Sequence, residues 1–206
     1  MSSKPSSLKI KIRDAHRLRS VAAGKSSAER KMKIQNTVKR VRFICTAALI
    51  AAMYVALTYL AMAMGLDKNA IQIRFSEMLV VLAFVTPAAI PGLYIGCLLA
   101  NILTGCAPLD ILIGPVATLI GALGAYFIGK IGNGRVSRWF CTIPNIIANV
   151  IIVTIVCYVC YTAPSAQSAS IIPFYAATIA LGEIISCGIF GTVLLVGAEK
   201  ALRRVI

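Results

Sequence analysis

From about residue 43 onward, long apolar runs alternate with short polar breaks, and the lengths of the runs carry most of the information. A helix rises 1.5 Å per residue, so roughly 20 apolar residues cross about 30 Å of hydrocarbon. Runs of about that length lie at 43–64, 109–130, 139–161 and 171–197. Between the first and second of these stands a different kind of stretch, Ile73 to Asp110. Its two apolar runs, 76–89 and 90–104, are each too short to cross comfortably, and Pro87 and Pro91-Gly92 interrupt them. They are either two short helices or one long kinked helix. Nothing alternates with the two-residue period of barrel strands over about ten residues, which sets a transmembrane barrel aside. The expected class is an all-α membrane protein, and a mean hydropathy of +0.85 with 59% hydrophobic residues agrees.

Charge decides between the two readings of 76–104. Of the 21 Lys and Arg, 13 lie in residues 1–42, three in 130–138 and three at the end. With one span at 76–104 the chain has five spans, and the 130–138 loop faces opposite the basic N-terminus. With two, 19 of the 21 basic residues fall on the cytoplasmic side. Six transmembrane helices with cytoplasmic N- and C-termini are therefore expected, in a multi-pass protein of the cell membrane. The net charge of +14 borders apolar spans, where it sets orientation and attracts anionic lipid, so no nucleic-acid partner is expected. The expected organisation is a basic flexible cytoplasmic tail at 1–42, a six-helix membrane domain at 43–200 and a short basic end at 201–206. The tail has no apolar core or cleavage pattern of a signal peptide, and a piece near 26–41 could lie on the lipid surface. Residues 65–74, with Asp67, Lys68 and Asn69, read as an ordered flap.

Candidate chemistry comes from the few polar groups inside the apolar runs, since a charge at the bilayer centre costs about 3 kcal/mol on insertion scales. Glu183 lies about 12 residues into its run, ~18 Å deep, where a carboxylate needs a partner, a proton or a ligand. Glu77, Asn101 and Asp110 mark the outer ends of the second, third and fourth spans, with Arg74 beside them. Asn145 and Asn149, at i and i+4, share a helix face. Together these seven suggest a pocket open to the outside. Each has a plainer reading too. Glu77 and Asp110 could answer helix dipoles, Arg74 could anchor at the interface or pair with Glu77, and the asparagines could join helices.

Other chemistries lack parts. There is no Gly-x-Ser-x-Gly and no His-Glu-x-x-His, and the only histidine, His16, lies in the tail, so an enzyme is not expected. Gly124-x-x-x-x-Gly129-Lys130 imitates a phosphate loop, but Ile131 stands where Ser or Thr would hold magnesium. Cys157-x-x-Cys160 is the only close pair among seven cysteines, a poor zinc site; the cysteines read as small hydrophobes, with a Cys157–Cys160 disulfide as the other option. No metal or cofactor is expected. In the first span Ala47, Ala48, Ala51, Ala52 and Ala56 put small residues on neighbouring stripes, a surface that lets another helix approach closely in lipid.

The run Gln72-Ile-Arg-Phe-Ser-Glu77, the segment Phe84-Val-Thr-Pro-Ala-Ala-Ile-Pro-Gly through Asn101, and Leu109-Asp110 with Ala117-Thr-Leu119 resemble the queuosine-precursor transporter family, over about residues 43–200. Members are substrate-binding S components of energy-coupling factor transporters. The resemblance implies a six-helix bundle that captures a vitamin-like solute outside and releases it inside, driven by a transmembrane coupling subunit and two ATPase subunits. It also implies that Ala47, Ala48, Ala51 and Ala52 dock on the coupling subunit. The implied cargo is a 7-deazaguanine, most closely the 7-aminomethyl form. Glu183 would then read the N–H edge of the base and Asp110 or Glu77 meet the ammonium. Asn101, Asn145 and Asn149 would complete the contacts. Another purine-like base or vitamin in the same architecture, or a self-sufficient small-solute carrier, remain the alternatives.

Overall fold

The computed structural model describes residues 6–66, 73–132, 135–162, 168 and 170–197, with side chains from residue 29 onward except Arg135. Asp67, Lys68 and Asn69 of the expected flap, and the basic end 201–206, lie outside the described residues. All regular structure among the described residues is helical. Four helices are long and apolar enough to cross a membrane, Glu29–Ala63, Pro108–Ile131, Val136–Tyr161 and Ile171–Gly197, and two apolar helices are shorter, Phe75–Phe84 and Ala89–Leu103.

Helix α1 is Ser6–Ala63. The stretch expected as a tail is therefore helical from Ser6 on; its Ala, Lys, Arg, Glu and Met are strong helix formers. The chain divides between Phe43 and Ile44 into two compact units. In the first, the described side chains from Glu29 to Phe43 are all exposed. The second holds everything that follows. Its part of α1 ends where Gly65, at φ 70°, takes the left-handed conformation that glycine tolerates, and Leu66 N–H bonds back to Ala61 O at 3.0 Å.

The stretch 76–104 forms two helices. Helix α2, Phe75–Phe84, is a tight 3₁₀ coil. It stops before Thr86-Pro87 because proline has no N–H to continue the ladder and disfavours helix at the residue before it. Helix α3, Ala89–Leu103, follows and ends at Gly105, φ 71°, with Cys106 N–H closing on Asn101 O at 3.0 Å. Helix α4 is Pro108–Ile131, started by a proline whose missing N–H costs nothing at that position. Short α5, Arg135–Phe140, leads to α6, Ile143–Val156, which runs on as a π-type turn over Cys157–Tyr161. Helix α7 starts at Ile171, is α-helical to Glu183, and widens to π over Ile184–Gly191. Such widened turns recur at functional sites, and this one begins at the residue after Glu183.

Helix α4 is the centre of the bundle and packs on α2, α3 and α6, while α2 also packs on the π segment of α7. Glycines permit these approaches. A Cβ on Gly129 would stand 2.6 Å from Phe84 O of α2, and one on Gly92 of α3 2.6 Å from Ala47 O of α1. The surface is inverted relative to a water-soluble globule. Leu112, Ile147, Ile155 and Val193 are exposed, whereas Glu77, Asn101, Asp110, Asn145, Asn149 and Glu183 are buried. Water would penalise the exposed apolar side chains, hydrocarbon around the outside removes that penalty, and the same hydrocarbon would penalise the acids and amides more if they faced outward. All seven cysteines are free thiols.

Candidate functional site

A single amide joins two acids inside the bundle. Asn145 Nδ2 donates to Glu77 Oε2 at 3.1 Å and to Glu183 Oε2 at 3.1 Å. The two accepting oxygens therefore lie at most about 6 Å apart, on α2 and α7, with α6 between them. Asn145 is fully buried, Glu77 1% exposed and Glu183 6%. The other oxygen of Glu77, Oε1, accepts from Tyr54 Oη of α1 at 2.5 Å. Four helices thus contribute to one polar chain, Tyr54–Glu77–Asn145–Glu183. The fourth residue after Asn145, Asn149, lies beside Glu183, although its Nδ2 has no partner in hydrogen-bonding geometry.

Backbone features hold this chain in place. Gly121 of α4 lies directly against Asn145: a Cβ there would come within 2.1 Å of Asn145 Oδ1 and 2.7 Å of its Cα. Gly96 of α3 does the same for Tyr54, whose Cβ would lie 2.8 Å away. The glycine positions α4 and α6 close enough for a short amide to reach acids on both sides.

A second group gathers at the start of α4. Asp110 Oδ2 accepts from Tyr161 Oη at 3.2 Å and lies 3.9 Å from an Arg74 guanidinium nitrogen. Asn101 Nδ2 donates to the backbone carbonyl of Asp110 at 3.1 Å. The same tyrosine hydroxyl accepts from Ala107 N–H at 3.1 Å, which ties α6 to the beginning of α4. Arg74 connects the two groups. It lines a hollow of about 100 Å³ together with Thr58, Ser76, Asn101, Thr104 and Cys106. It also lines a small cavity of about 10 Å³ with Val153, Ile179 and Glu183.

Several buried polar atoms are left without hydrogen bonds: Asp110 Oδ1, Asn145 Oδ1, Asn149 Nδ2, Thr154 Oγ1 and Ser186 Oγ. Unsatisfied buried groups normally cost about 1–3 kcal/mol each and are few in a settled core. Asp110 belongs to the group at the start of α4, and Asn145 and Asn149 to the group at Glu183.

Glu77, Asn145, Asn149 and Glu183 come together; Arg74, Asn101 and Asp110 form the adjoining group. The Glu77 carboxylate reaches Tyr54, midway along the 43–64 run. Arg74 pairs with Asp110, which replaces the expected alternative of Glu77 as its partner. Two participants went unnoticed, Tyr54 and Tyr161. Their signal was present, because a phenol inside an apolar run needs an acceptor when buried. The alanine stripe divides: Ala47 and Ala51 face Gly92 and Gly96 of α3, while Ala48, Ala52 and Ala56 are exposed.

A helical chain that turns leucine, isoleucine and valine outward and folds acids and amides inward is a multi-pass membrane protein built round a polar interior. Its sequence places it further: residues 44–200 match the model of the QueT transporter family, and the chain belongs to that family. It is 36% identical over 77 residues to the "Queuosine precursor transporter QueT" of Lactococcus lactis subsp. cremoris (strain MG1363). That match covers 37% of this chain and 45% of the relative, so the chain spans about half the length of the curated relative it matches. No solved structure matches the chain.

Proposed function

We propose that this chain is the substrate-capturing S component of an energy-coupling factor importer, and that its cargo is a 7-deazaguanine, foremost the 7-aminomethyl form. The observation that carries this reading is the pair of buried carboxylates, Glu77 and Glu183, sharing the Asn145 amide. The guanine-like edge of the cargo offers adjacent N–H donors, which one carboxylate accepts as a pair, and the aminomethyl group is a cation that suits the second. Asp110 already has Arg74 beside it, which favours the acid pair for the ammonium, with Glu183 on the base edge and Glu77 on the ammonium. Asn145 and Asn149 supply mixed donors and acceptors there, and Asn101 does so from the adjoining group. Family membership and the relative named as a queuosine precursor transporter support the same cargo.

The transport cycle follows from the topology proposed with it. Six spans are counted when α2 and α3 are taken as two short crossings, with both termini cytoplasmic as the basic residues favour. The exposed small-residue face of α1, Ala48 and Ala52 with Ala56, is the docking surface for the coupling subunit, while Ala47 and Ala51 hold α1 to α3. Two ATPase subunits supply the drive, and the basic residues before the first span attract anionic lipid.

Thermal unfolding of the purified protein against a panel of deazaguanines, guanine and unrelated vitamins tests the cargo. A ligand at 100 times its dissociation constant adds about 2.7 kcal/mol, expected for 7-aminomethyl-7-deazaguanine and absent for the vitamins. No response to any deazaguanine ends the proposal, and a different base identified by mass in the purified protein replaces the cargo. Uptake that persists in a host without the coupling and ATPase subunits makes the chain a self-sufficient carrier instead.

A further inference from the structure

Neither Glu77 nor Glu183 lines the hollow of about 100 Å³. Arg74 lines both it and the cavity at Glu183, which at about 10 Å³ has room for one water. A heterocycle cannot occupy the inner cavity as it stands, whereas the outer hollow is several times larger.

The wall of the outer hollow has a definite chemistry. Thr58 Oγ1 donates to Tyr54 O at 2.9 Å and Thr104 Oγ1 to Ala100 O at 2.8 Å, so both hydroxyls spend their protons on their own helices. Asn101 spends one of its two Nδ2 protons on the Asp110 carbonyl. What these three residues have left is mainly acceptor capacity: two hydroxyl oxygens and the Asn101 Oδ1, beside one remaining amide N–H. These acceptors suit a solute rich in N–H donors, and Ala61, Met62 and Ile73, which line the same hollow, suit the apolar faces of a heterocycle.

Arg74 also has somewhere to go. Its guanidinium stands 3.9 Å from Asp110 Oδ2, an oxygen already engaged by Tyr161, while Asp110 Oδ1 is buried without a partner. Moving onto Oδ1 would turn a loose contact into a two-oxygen pair, the stronger geometry for guanidinium and carboxylate. The same movement withdraws the side chain from the lining that the hollow and the Glu183 cavity share.

From this we infer that the hollow bounded by Thr58, Ser76, Asn101, Thr104 and Cys106 is a first binding station for an N–H-rich heterocycle, and that Arg74 separates it from the acid pair until it closes on Asp110. The inference rests on the cargo class proposed above. It adds a site and an order of events: capture on the acceptor wall, withdrawal of Arg74, then transfer to Glu77 and Glu183.

Cys106 gives a direct test, because it lines the hollow and is half-buried. In the full chain with Cys45 and Cys160 replaced by Ala, Cys106 is modified with a cationic methanethiosulfonate. Binding of labelled 7-aminomethyl-7-deazaguanine is then followed in time. The expected result is association slowed at least tenfold by the adduct, reversed by thiol reduction, and Cys106 protected when the probe is bound beforehand. Thr58→Val with Thr104→Val, which deletes two acceptors without adding bulk, should slow association in the same direction. Unchanged association with Cys106 fully modified by mass overturns the station. An unmodified protein that binds none of the probe overturns the cargo itself, a separate outcome.

Discussion

Tyr54 donates a hydrogen bond from its hydroxyl to Glu77 Oε1, and that bond fastens the middle of the first membrane-crossing helix to an acid 23 residues further along the chain. Removing only the hydroxyl leaves a buried carboxylate oxygen short of a donor, a loss of about 1–3 kcal/mol. Tyr54→Phe is therefore expected to lower unfolding stability in detergent by that amount. Tyr59→Phe is the comparison: Tyr59 is 39% exposed and its bond to Leu103 O is at the surface. Its loss is expected to stay within about 0.5 kcal/mol. Equal effects for the two would mean that the Tyr54–Glu77 bond has no special weight.

The position of Asn145 depends on a missing side chain. At Gly121 a Cβ would lie 2.7 Å from the Asn145 Cα, so relief has to come from the backbone of α6 and not from a rotamer. Gly121→Ala should push Asn145 away from both acids and reduce affinity for 7-aminomethyl-7-deazaguanine at least tenfold. At Gly188 of α7 the nearest atom to a new Cβ is Ile184 Cγ2 at 3.8 Å, an ordinary contact. Gly188→Ala should bind normally. Isothermal titration of the two variants decides, and normal binding by Gly121→Ala would separate Asn145 from recognition.

Much of this site could be read from the sequence because polar residues in apolar runs are few and each needs a reason. Glu183, Asn145 and Asn149 were found that way, and the break at Pro87 followed from proline's missing donor. Contacts were harder. Glu77 stands near the start of a short apolar run, and its reach to Tyr54 and Asn145 depends on the packing of α2 against α4 and α7, which the run itself does not specify. Tyr54 and Tyr161 escaped because tyrosine is ordinary at membrane boundaries and its hydroxyl becomes informative only once an acceptor is known. The alanines of α1 fall on neighbouring stripes, and the glycines of α3 decide which stripe is covered.

Glu77 and Glu183 share a donor, so their contributions should not add. Glu77→Gln and Glu183→Gln each keep the shape and remove a charge, and in either one Asn145 retains one carboxylate. The double variant loses both. A four-way comparison of affinity for 7-aminomethyl-7-deazaguanine is expected to show a coupling of about 1–3 kcal/mol, as for residues in one hydrogen-bonded network. Additivity within about 0.5 kcal/mol would mean that the acids act as separate sites, and the single cargo contact proposed for the pair would fail.

Asp110 faces a different task, because its partner is a cation of the same chain. Asp110→Asn keeps the side-chain shape and an oxygen for Tyr161, but it removes the carboxylate charge paired with Arg74. Breaking a fully buried pair by removing one partner costs about 3–5 kcal/mol. The Arg74 side chain is 26% exposed and the separation is 3.9 Å, so solvent screening reduces the expected loss to about 1–2 kcal/mol. Arg74→Gln added to Asp110→Asn removes the stranded charge and should recover most of the lost stability. Unfolding of the three variants in detergent measures this directly, and a double variant less stable than Asp110→Asn alone would show that Arg74 is held mainly by contacts other than Asp110.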